Sequence, residues 1–139
     1  MEVSDVRKRV LHTIEQAKRH AAERRERNDE AARVFDRLLN GIVIPLFRQV
    51  AGVLRVEKHL FTVFTPSGSV RLSSDRSAED FVEMFLDATG DTPCVIGHTR
   101  RNRGHRVLES EQVVGAPDTL TEAEVLEFLL KAIEAFVER

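Results

Sequence analysis

One nine-residue stretch concentrates the side chains best suited to chemistry: His98-Thr99-Arg100-Arg101-Asn102-Arg103-Gly104-His105-Arg106. Arg100, Arg101, Arg103 and Arg106 surround an Asn-x-Gly turn signal, and no carboxylate lies within the stretch to neutralise them. A guanidinium is a rigid fork of donors that matches phosphate and carboxylate geometry. Such a cluster could hold a nucleic-acid backbone, a phosphorylated ligand or an acidic partner surface. The competing reading is a solvated hairpin tip, where charge keeps a sheet edge soluble. Internal partners are also at hand, since residues 75–91 carry six acids against one Arg. A second basic group, Arg24, Arg25 and Arg27, lies in a helical run in which Glu23 and Arg27 form an i,i+4 pair. Basic helices can enter a DNA groove, but interspersed acids fit an ordinary solvated face.

Other reactive constellations are sparse. The five histidines are His12, His20, His59, His98 and His105. None falls in a His-Glu-x-x-His or Cys-x-x-Cys pattern. His98 and His105 could approach across a hairpin, with Glu109 beside them, which makes them weak metal candidates for a small hydrolase. Cys94 adjoins Val95 and Ile96 in an apolar strand pattern and reads as a structural thiol. Gly-x-Ser-x-Gly and the P-loop are absent. The expectation is a non-catalytic protein without a cofactor.

The elements that must position these residues follow from periodicity. Residues 4–56 read as one long helix with Ser4 as N-cap. Val6, Val10, Ile14, Ala17 and Ala21 recur at helical spacing, and a wider stripe returns from Val34 and Phe35 through Leu39 to Leu54. Pro45 must disturb that helix, because it cannot donate to the Gly41 carbonyl and its ring crowds it. A kinked helix is therefore expected, or two helices meeting at Gly41.

Beyond residue 57 the period changes. Leu60–Thr65 and Val70–Ser73 flank the turn residues Pro66-Ser67-Gly68-Ser69, which defines a hairpin. Cys94–Thr99 and Arg106–Val114 form a second hairpin with the arginines at its tip. Residues 81–88 fit a strand placing Val82, Met84, Leu86 and Ala88 on one face, and fit a helix capped by Ser77 nearly as well; the strand is preferred because it completes a meander. Thr121 and Glu124 make a capping box that opens a C-terminal helix striped by Val125, Phe128, Leu129, Ala132, Ile133, Phe136 and Val137.

The expected fold is α+β: a long kinked N-terminal helix, an antiparallel β meander of four to five strands, and a C-terminal helix packed on the sheet. Two regions are expected, helical residues 1–56 and an α+β sheet domain at 57–139.

A chain of 139 residues with net charge −2 suits a soluble globular protein. Charge is unevenly spread. Residues 7–27 hold eight Lys or Arg against three Glu, a local +5, and residues 109–139 hold two basic against eight acidic, a local −6. Such polarity could pair the ends of the chain, within one subunit or between subunits. The single cysteine fits a reducing compartment. The charged N-terminus lacks a signal-peptide core, and no apolar run is expected to near the roughly 20 residues of a membrane span. A cytoplasmic protein with no membrane partner is expected.

Fifty helical residues would extend about 75 Å, too far for one small domain to cover. The leading expectation is therefore self-association, as a homodimer, or docking to a protein partner. Val6, Val10, Ile14, Ala17, Phe35 and Leu39 are its expected interface. Anion or nucleic-acid binding by Arg100, Arg101, Arg103 and Arg106, helped by Arg24, Arg25 and Arg27, stands as the alternative.

Overall fold

The computed structural model describes residues 1–138 and has the expected α+β architecture. Helix α1 (Val3–Leu38) passes through a π-helical turn (Leu39–Val43) into α2 (Ile44–Val56). Five strands follow: β1 (Phe61–Phe64), β2 (Ser69–Ser74), β3 (Phe81–Asp87), β4 (Cys94–Arg103) and β5 (Arg106–Gly115). Helix α3 (Glu122–Val137) comes last. The sheet is a meander of order β1-β2-β3-β4-β5, antiparallel throughout.

The disturbance expected at Pro45 takes the form of the π turn. Wider i→i+5 bonding absorbs the missing donor and the bulk of the ring without ending the helix. The N-terminus differs from expectation. The helix begins at Val3 behind Glu2, which makes no side-chain cap bond, so Ser4 lies inside the first turn. At α3 the capping box is formed: Thr121 Oγ1 accepts from Glu124 N at 3.3 Å, and Glu124 Oε1 accepts from Thr121 N at 3.2 Å.

Residues 81–87 are a strand, and the pleat explains why. Val82 and Met84 are fully buried on one face, level with Leu72 and Val70 of β2 and with Thr99 and Gly97 of β4. That face meets Phe47 and Leu54 of α2 and Val125, Phe128 and Leu129 of α3 in one core. Phe35 and Leu39 belong to the same core, so residues 35–54 fold with the sheet. Gly97 makes the closest approach: a Cβ there would collide with the Phe128 ring. The second face carries Arg71, Phe81, Glu83, Ile96, His98 and Arg100 by alternation; among the described residues no helix covers it. Where β3 ends, Asp87 accepts bonds from Thr89 Oγ1 (2.6 Å) and Thr89 N (2.9 Å), which hold its carboxyl below the ordinary carboxylate range.

Candidate functional site

Strand pairing disperses the arginine stretch. β4 and β5 run on to Arg103 opposite Arg106, and the turn is the two residues Gly104-His105, with Gly104 at φ +65°. That position suits the first residue of a type II′ hairpin turn. Only Arg103 and Arg106 therefore flank the turn. Arg100 and Arg101 lie inside β4, and adjacent strand residues point to opposite faces. Arg101 crosses the helix-bearing face to donate to the Ala135 carbonyl at 2.6 Å. A cation at the C-terminal end of a helix satisfies an orphan carbonyl and the negative end of the dipole. Arg100 turns to the uncovered face, where its Nε is buried without a hydrogen-bond partner among the described residues.

Two of the acids in residues 75–91, Asp80 and Glu79, accept from Asn102. Asn102 N donates to Asp80 Oδ1 and Asn102 Nδ2 to Glu79 Oε2, both at 2.7 Å. The hollow beside the tip, about 390 Å³, is lined by Arg101, Asn102, Arg103, Gly104, Ala135 and Glu138. Its basic groups thus face the end of α3 and a carboxylate.

His98 and His105 are not brought together. His98 pairs across the hairpin with Glu111, five strand positions or about 17 Å before the turn that holds His105. Its Nε2 meets Glu109 Oε1 at 2.6 Å, so the expected His98–Glu109 contact is present without the second histidine. Phe81 meets the His98 ring edge-on at 5.3 Å, Arg71 stacks 3.9 Å over Phe81, and Arg71 is paired with Glu83 at 2.6 Å. This chain of contacts knits the uncovered face. No cluster of three metal-ligating side chains occurs among the described residues.

Arg24, Arg25 and Arg27 lie far from the tip. Helix α1 leaves the sheet at the opposite end, where Asn28 Nδ2 reaches the Ala88 carbonyl at 3.5 Å. There a groove of about 790 Å³ runs between α1 (Glu23, Arg27, Ala31, Val34) and the segments Thr92-Pro93 and Ala116-Pro117-Asp118. Those segments adjoin the start of β4 and the end of β5, whereas the tip joins their far ends.

From residue 3 to residue 27 every side chain but the half-buried Ala21 is exposed. Beyond the groove walled by Glu23 and Arg27, residues 3–22 run on for about 30 Å of helix. Val6, Val10 and Ile14 are 45%, 51% and 44% exposed. The interface residues expected from sequence therefore divide. Phe35 and Leu39 are claimed by the subunit's own core, while Val6, Val10, Ile14 and Ala17 stay on the surface. A second apolar surface, with no signal in the local sequence, is the outer groove between α2 and α3. It measures about 280 Å³ and is lined by Leu46, Val50, Val53, Leu126, Leu130 and Ile133. Val53 and Leu130 are 66% and 53% exposed. The helix Val3–Val56 also contains a window long and apolar enough to cross a membrane, a third of it buried within the fold.

Comparison with known proteins returns no match to a family model, a curated protein or a solved structure.

Proposed function

We propose that the chain is a self-association module and that residues 3–27 of α1 are its docking element. One observation carries this reading: an in-phase stripe of Val3, Val6, Val10, Ile14, Ala17 and Ala21 lies on a helix that its own subunit leaves exposed at every one of these positions but the half-buried Ala21. Most of a helix's stability in a protein comes from packing its apolar face, and the β-branched residues of this stripe add little of their own. Burying a Val or Ile side chain fully stabilises by about 1.5–3 kcal/mol, so taking half-exposed ones out of water is worth roughly 1 kcal/mol apiece. The dispersal of the arginines, with Arg101 committed to α3, favours this reading over a concentrated anion site.

Light scattering on the full chain at tens of micromolar tests it. The wild type is expected to exceed the monomer mass, and Val6→Gln/Val10→Gln/Ile14→Gln is expected to run as a monomer with an unchanged circular dichroism spectrum. A wild-type monomer, or a variant that associates like the wild type, defeats the reading.

A further inference from the structure

The groove between α2 and α3 presents an apolar lining to solvent, with Val53 and Leu130 exposed. At 100° per residue, Arg7 borders the apolar stripe of residues 3–14 on one side and Arg9 on the other; Lys18, Arg25 and Arg27 continue those borders further along the helix, where Arg24 falls within the stripe itself. Glu15, Glu23 and Glu26 fall on the far side of the helix, together with Lys8 and Arg19. Two such stripes laid face to face would set basic border against basic border, and like charges in apposition oppose association. A complementary receptor is apolar with an acidic border. Leu130, in the α2–α3 groove, has Glu127 three residues before it and Glu134 four residues after it, on the same side of α3. The exposed charges of α3 are Glu122, Glu124, Glu127 and Glu134 against Lys131, a balance of four acids to one base.

Length agrees as well. The groove residues Leu126 to Ile133 of α3 and Leu46 to Val53 of α2 each span about 11 Å, close to the roughly 12 Å of helix from Val6 to Ile14. The groove cannot receive the helix of its own subunit. One wall is α2, the continuation of the same rod, and Ile14 lies about 48 Å along that rod from Leu46.

We infer that the α2–α3 groove of one copy receives the apolar stripe of residues 3–14 of a second copy. This rests on the reading of residues 3–27 as the docking element. The contact is heterologous: each copy gives one helix and offers one groove.

Complementation between two full-length variants tests it. Val6→Gln/Val10→Gln/Ile14→Gln lacks the stripe and keeps the groove. Val53→Gln/Leu130→Gln lacks the groove and keeps the stripe; both positions are exposed, and an unchanged thermal melt verifies the fold. Each variant alone is expected to be monomeric in sedimentation velocity, and an equimolar mixture to form a 1:1 complex and nothing larger. Glu127→Arg/Glu134→Arg is expected to weaken wild-type association roughly tenfold. If the groove variant associates like the wild type while the stripe variant does not, the helix reading stands and the groove is overturned. Two monomeric variants that fail to complement also overturn the groove. Wild-type protein that stays monomeric, or associates regardless of the stripe substitutions, removes both readings.

Discussion

Gly97 sits beneath the ring of Phe128, at the point where α3 comes closest to β4. An added methyl has no room unless the ring or the helix shifts. Gly97→Ala is expected to destabilise the fold by about 1–3 kcal/mol, the usual cost of overpacking, read as a lower urea midpoint with little change in slope. Nothing in Val95-Ile96-Gly97-His98 announces this contact, because it depends on which residue of a distant helix lies opposite. The arginine stretch shows the same limit. Its composition is plain from the sequence, but register decides that Arg100 and Arg101 part to opposite faces and that Asn102 takes Glu79 and Asp80. Arg101 is best understood as a side chain that fastens α3. Arg101→Met is expected to lower stability by about 1–2 kcal/mol in the same urea titration, since a charged donor to a helix-end carbonyl is lost.

At the level of elements, local chemistry was legible wherever it closes within a few residues. Thr121 and Glu124 announce α3, and their reciprocal bonds are present. Thr121→Ala is expected to cost about 1 kcal/mol, measured as a fall in melting temperature, because the Glu124 amide loses its acceptor. Residues 81–87 were ambiguous because Phe81-Val82-Glu83-Met84-Phe85-Leu86 satisfies both periods; pairing with β2 and β4 settles it as strand. Pro45 predicted an irregularity without its form, since a kink, a break and a π turn all accommodate a missing donor. The α2–α3 groove was invisible because it joins residues some 75 positions apart, and only tertiary packing brings Val53 beside Leu130.

At the scale of the whole molecule, the charge polarity of the chain becomes spatial. The basic, apolar-striped end of the rod stands clear of the fold, while the acidic face of α3 lies on the body. The two cannot meet within one copy, because the rod that carries the first also forms the wall beside the second. Association between copies would place opposite charges together and cover the exposed valines in one step. Hydrogen exchange resolved along α1 tests this most directly, because packing on its apolar face stabilises a helix and raises the protection of its amides. Protection of amides in residues 3–27 is expected to rise about tenfold between roughly 1 µM and 100 µM protein, as mass action fills the contact. Protection in that segment that is independent of concentration would contradict the account.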